Sequence, residues 1–240
     1  MNNRPTFTLT LRAEPRATDA TDPGAIVRLR RALKTLLRAF GLRCTRIDPM
    51  AEIERDRIFY DESEGGVTFS GGEPLMQPAF LLDMVRSCRA SAIHVAVDTC
   101  GHADTGALLE VARDADLFLF DLKMMDEERH LAYTGSSNVR ILHNLEQLAA
   151  VHSNILVRFP LIPGVNDDDE NVRETGAFLS ALRLTRVDVL PYHRAGMAKY
   201  DRLQRPYPLA DTQPPSPDTQ AHVVRLLEEY GLIVRPGGSS

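Results

Sequence analysis

The 240-residue chain is short of cysteine, of long apolar runs and of paired metal-binding histidines. No stretch reaches the roughly 18 apolar residues of a membrane span, so no membrane partner is expected. The N-terminus lacks the basic-then-apolar pattern of an export signal, which leaves the cytoplasm as the expected compartment. Cys44, Cys88 and Cys100 are too far apart for a disulfide framework or a close-paired zinc site, and read as two core thiols plus a spare. The histidines form no HExxH pair. The run Asn166-Asp167-Asp168-Asp169-Glu170 lacks calcium-loop spacing; Asn166 reads instead as a helix N-cap with acids in the first turn. A Gly-x-Ser-x-Gly elbow, a P-loop and a solenoid repeat are also absent.

Charge is unevenly spread. The net value is −5, but residues 1–48 carry +6 and residues 49–240 carry −11. A basic head on an acidic body predicts two pieces of different origin, divided at residue 48. In the head, Phe7 to Arg12 alternates like a strand. Ala25 to Phe40 places Ile26, Leu29, Leu33, Leu36, Leu37 and Phe40 on one helical stripe, with arginines and Lys34 opposite. Such a helix more often covers a sheet than meets nucleic acid, so nucleic acid is not the expected partner.

From about residue 50, short apolar runs alternate with helical periodicity. Strands are expected at 66–70, 93–97, 117–122, 155–159 and 186–191, with helices at about 76–90, 104–114, 139–152 and 168–182. The proline-rich stretch 192–217 reads as a loop, followed by a last helix at about 217–230 and a short strand near 232–235. This pattern predicts an α/β fold of parallel βα units, favouring a barrel or partial barrel over the doubly wound alternative.

In such folds the functional groups collect at the carboxyl ends of strands. Here those ends read Ser70-Gly71-Gly72-Glu73, Asp98-Thr99, Asp121 with Lys123, and Tyr192-His193. Strand alternation puts Leu117, Leu119, Asp121 and Lys123 on one face, and Arg158 interrupts an otherwise apolar strand. Taken singly, each group reads as part of an ion pair closing the mouth of a barrel. Taken together, at matching strand ends, they predict a pocket for a ligand with both cationic and anionic parts.

At these residues the sequence resembles a known family. The blocks EIERDRIFYDESEGGVTFSGGEPLMQ, VAVDTCG, LFLFDLK, RFPLIPGVNDDDEN, VDVLPYHRAGMAKYDRL and EEYGLIVRPGG run in order from about residue 49 to 238. They are similar to the radical S-adenosylmethionine (SAM) activating enzymes of glycyl-radical enzymes, the group that includes pyruvate formate-lyase activating enzyme. The resemblance implies a partial (βα)6, TIM-like barrel. It places Gly71, Gly72 and Glu73 at the SAM amino group, where glycine lets backbone carbonyls approach closely. It places Asp98 and Thr99 near the SAM carboxylate, with a monovalent cation beside them and Asp121. Asp121 and Lys123 form the DLK motif at SAM, and Arg158 and His193 lie near the carboxylate and nucleoside. A [4Fe-4S] cluster would reduce SAM with an electron from a donor. The resulting 5′-deoxyadenosyl radical would take hydrogen from a glycine of the partner enzyme.

One part of that pattern is missing. The cluster needs a Cys-x3-Cys-x2-Cys loop upstream of residue 50, and residues 1–48 hold the single cysteine Cys44. The spacing of Cys44, Cys88 and Cys100 fits no cluster motif. Three readings of the head compete: a misread or broken frame, a fusion that replaced the cluster loop, or a cluster held in another way. The first two predict a chain that binds SAM or the partner with weak or no turnover.

Overall fold

The computed structural model describes residues 49–194, 209 and 211–237. The expected head strand and helix, Cys44 and most of the proline-rich loop lie outside the described residues.

Six strands form one parallel sheet: β1 Gly66–Phe69, β2 His94–Thr99, β3 Leu117–Asp121, β4 Ile155–Leu161, β5 Arg186–Pro191 and β6 Ile233–Pro236. Their order is β1-β2-β3-β4-β5-β6, every neighbour parallel. Each βα unit therefore adds its strand on the same side as the one before. A doubly wound sheet reverses direction at a switch point, and this sheet has none, which excludes that alternative.

The helices are α1 Pro49–Arg55, α2 Arg57–Ser63, α3 Pro78–Ala90, α4 Thr105–Ala112, α5 Glu127–Thr134, α6 Val139–Val151, α7 Asp169–Ala181 and α8 Pro217–Glu228. Helices α3, α4, α6, α7 and α8 fall where periodicity places them. Helices α1, α2 and α5 have no counterpart in the sequence reading. The first two bury no residue fully, and α5 buries only His130, so none carries the apolar stripe that periodicity detects.

Burial divides the sheet into two faces. On β3, Phe118 and Phe120 are fully buried, while Leu117, Leu119 and Asp121 are half-buried. On β4, Ile155, Val157, Phe159 and Leu161 are buried and Leu156, Arg158 and Pro160 are not. The buried face packs against helix residues such as Val85, Leu108, Leu145, Leu179 and Leu227. Each such side chain contributes about 1.5–3 kcal/mol by leaving water. The other face carries the polar residues and holds the site.

One expectation holds here and another changes. Cys88 is fully buried in α3, in keeping with the core-thiol reading, with its Sγ 3.7 Å from the Met50 Sδ. The apolar stripe of α3 (Leu81, Met84, Val85, Cys88) runs on at helical spacing and carries the thiol inward. Asn166 is not an N-cap. Asp168 caps α7, accepting from the Asn171 backbone N–H, while Asn166 is buried two residues upstream.

Candidate functional site

The turn after β1 has Gly71 at φ +95° and Gly72 at φ +91°, backbone that glycine enters without strain. A Cβ built on either residue meets nothing within 4 Å, so the turn presents bare backbone to open space. Glu73 fixes this turn to the end of β2. Its carboxylate accepts from the Thr99 hydroxyl at 2.7 Å, the Cys100 N–H at 3.0 Å, the Cys100 thiol at 3.1 Å and the Leu75 N–H at 3.2 Å. Glu73 is thereby engaged with its own fold, and the glycines beside it supply the open surface. Burial pushes the Cys100 thiol above its ordinary value; a backbone contact at His102 opposes this and Glu73 adds to it.

A chain of charged groups joins the strand ends. The Ser70 hydroxyl donates to Asp98 at 2.8 Å. Arg158 donates to Asp98 through Nη2 and to Asp121 through Nε at 2.8 Å. Lys123 reaches the other Asp121 oxygen at 3.4 Å. The four charged side chains, two acids and two bases, are partly buried; those of Asp98 and Arg158 are each 20% exposed. Burial alone would pull the Arg158 guanidinium down. The Asp121 carboxylate, and then Asp98, more than offset this and hold it above its ordinary value.

Sheet register explains the convergence. Asp121 lies directly opposite Arg158, and Asp98 lies opposite Leu119, one step along the same face. Thr99, next to Asp98, must turn to the other face; it is 2% exposed and spends its hydroxyl on Glu73 and the Gly101 N–H. The structure thus brings Ser70, Asp98, Asp121, Lys123 and Arg158 together. It gives Glu73 and Thr99 bracing contacts and leaves His193 exposed just past β5. Among the described residues, no group of three or more His, Cys, Asp or Glu side chains could hold a metal ion.

Buried asparagines brace the loops around this site, and the sequence reading missed them. Asn144 donates to the Gly101 and Ala103 carbonyls and accepts from Thr105, fixing the loop after β2. Asn138 donates to the Met124 and Met125 carbonyls, and Asn171 accepts from the Met125 N–H. Asn166 donates to the carbonyls of Lys123 and Pro160, joining the ends of β3 and β4. An asparagine within an apolar helix stripe, as in ILHNLEQL, was the signal available.

The model of the radical SAM superfamily matches residues 41–175. A trans-4-hydroxy-L-proline dehydratase activating enzyme from Clostridioides difficile is 44% identical over 80% of this chain and 64% of its own length. A pyruvate formate-lyase-activating enzyme from Staphylococcus epidermidis is 33% identical, and the match covers 78% of each protein. This chain belongs to the radical SAM activating enzymes of glycyl-radical enzymes. The fold agrees. A crystal structure of a domain of a pyruvate-formate lyase-activating enzyme from Bacteroides vulgatus matches with a TM-score of 0.62 and 36% identity, over 72% of this chain and 99% of that one. The six parallel strands are thus the radical SAM partial barrel. The chain spans less than two thirds of the Clostridioides difficile relative.

Proposed function

We propose that the polar face of the sheet binds SAM at the carboxyl ends of β1 to β5, in the service of activating a glycyl-radical enzyme. The observation that carries this reading is the pairing of an open glycine turn with the Ser70–Asp98–Arg158–Asp121–Lys123 chain. A zwitterionic amino acid moiety needs backbone carbonyls for its ammonium and cations for its carboxylate, and both are offered side by side. Gly71 and Gly72 would hold the amino group. Arg158 and Lys123 would hold the carboxylate, with His193 toward the nucleoside. A monovalent cation beside Asp98, Thr99 and Asp121 belongs to the same proposal, and would compete with Arg158 for carboxylate oxygens. SAM bound beside a reduced iron–sulfur cluster supplies the hydrogen-abstracting chemistry of such enzymes.

The described thiols do not fit that cluster. Cys88 is sealed in the core, and Cys100 is tied to Glu73. A cluster iron needs accessible thiolates converging on one point, and burial disfavours the thiolate form of both. We therefore assign this chain SAM binding with weak or no reductive turnover, and treat residues 1–48 as a segment of separate origin. The second reading, a non-catalytic protein that holds SAM or docks on the glycyl-radical partner, is favoured by the same placement of Cys88.

Calorimetry with SAM tests the pocket: measurable heat is expected, lost in Lys123→Ala. Absence of heat in the wild type overturns the reading. Reconstitution with iron and sulfide tests the turnover. An iron–sulfur absorption band together with 5′-deoxyadenosine formed on reduction, through an external electron donor, would show that the chain is competent after all.

A further inference from the structure

Strand β5 carries a carboxylate that the site as described does not use. Asp188 lies in register with Arg158 on β4 and with Arg235 on β6, while Asp121 flanks Arg158 from β3. In-register residues of parallel strands share a face, so Asp121, Arg158, Asp188 and Arg235 form one row of alternating charge along the polar face. Pairing along that row is uneven. Arg158 turns its guanidinium to Asp121 and Asp98. Among the described residues, no ion pair joins Asp188 to either of its arginine neighbours, and its Oδ1 is buried with no hydrogen-bond partner.

A carboxylate oxygen held away from water without a donor is costly, and a cationic group brought near it offsets that cost. Among the described residues, Asp98 and Asp121 pair with Arg158 and Lys123, whereas Asp188 pairs with neither arginine beside it and is the one acid of the row without an ion pair. Arg235 sits exposed on the edge strand, where water screens it. The group complementary to such a carboxylate is a cation. SAM has a sulfonium and an ammonium against one carboxylate. Its thioether relative, S-adenosylhomocysteine, lacks the sulfonium charge and is neutral overall.

We propose that Asp188 is a charge-selecting residue of the pocket, favouring the cationic sulfonium over the neutral thioether. This rests on the SAM reading above and extends it to a residue that reading leaves out. Long-range attraction of this kind needs no direct contact, because a partly buried wall weakens screening.

The test compares SAM and S-adenosylhomocysteine by calorimetry on the full chain, as wild type, Asp188→Asn and Asp188→Glu. Asp188→Asn is expected to weaken SAM binding by about tenfold in Kd while leaving S-adenosylhomocysteine unchanged. Asp188→Glu keeps most of the preference. An unchanged ratio in Asp188→Asn, or an equal loss for both ligands, overturns the proposal, since the latter is what a merely structural role would give. No heat with either ligand in the wild type overturns the pocket reading itself, and this role with it. A ligand-free measurement stands beside these. Removing an unpartnered charge is expected to raise the urea midpoint of Asp188→Asn, and a lowered midpoint would mean that the carboxylate has a partner in solution.

Discussion

Glu73 ties a turn to a strand end with four accepted hydrogen bonds, which makes it a brace for the glycines beside it. Glu73→Ala leaves the Thr99 hydroxyl and the Cys100 N–H without an acceptor. It is expected to cost about 2 kcal/mol in urea unfolding and to weaken SAM binding through a loosened turn. Gly72→Ala separates conformation from contact. Nothing would touch the added Cβ, so the expected loss of about 1 kcal/mol comes from the positive φ. Arg158→Leu strips the cation from Asp98 and Asp121 together. We expect a loss of about 2 kcal/mol, below the roughly 3–5 of a fully buried pair because these groups are partly wet. Charge and alternation alone mark Asp98, Asp121, Lys123 and Arg158 as a group. The bracing by Glu73, including its bond to the buried Thr99 hydroxyl, could not be read, because it depends on how one strand end lies against the next.

At the scale of elements, the strands were legible and the loops that follow them were not. Short apolar runs locate β1 to β6 within a few residues, since a strand covered by helices must be apolar on that side. The loops at their carboxyl ends are held by Asn138, Asn144, Asn166 and Asn171, each reaching across to another unit of the chain. Asn166 shows why the local reading failed. An asparagine before a run of acids suits an N-cap, but the cap falls to Asp168 and tertiary carbonyls claim Asn166. Asn144→Ala should lower stability by about 2 kcal/mol, since the Gly101 and Ala103 carbonyls lose their donor, with a matching fall in the urea midpoint. Gly101 faces a different constraint: a Cβ there would lie 2.3 Å from the Phe120 ring, at φ +72°. Overpacking and backbone strain combine, and Gly101→Ala is expected to cost about 3 kcal/mol.

At the scale of the whole molecule, acid should weaken the described barrel in a definable way. The Arg129 guanidinium hydrogen-bonded to Asp168 at 2.6 Å holds that carboxyl below its ordinary range, and Asn171 assists. A lowered folded pKa means that its stabilisation is present above the ordinary aspartate value, about 3.9, and fades as pH falls from there through the folded value. Asp168→Asn keeps a capping side chain and removes the charge. The stability gap between wild type and this variant should therefore close as pH drops below about 4, read from urea midpoints across the series. A gap constant with pH would mean that the ion pair is silent. Among the described residues, no helix is long and apolar enough to cross a membrane.

The sequence by itself determined the strand order along the chain, the helices with an apolar stripe, the polar strand ends and the ancestry, because periodicity, register parity and the GGEP, DLK and PYH blocks are local properties of the chain. Tertiary structure alone decided the sequential winding of the sheet, which rules out a switch point. It also decided the service of Glu73 and four asparagines as braces, and the isolation of Asp188 beside an arginine already engaged elsewhere. Those outcomes depend on which groups from distant parts of the chain meet at the strand ends, where a hydrogen bond or charge goes to the partner that geometry brings nearest.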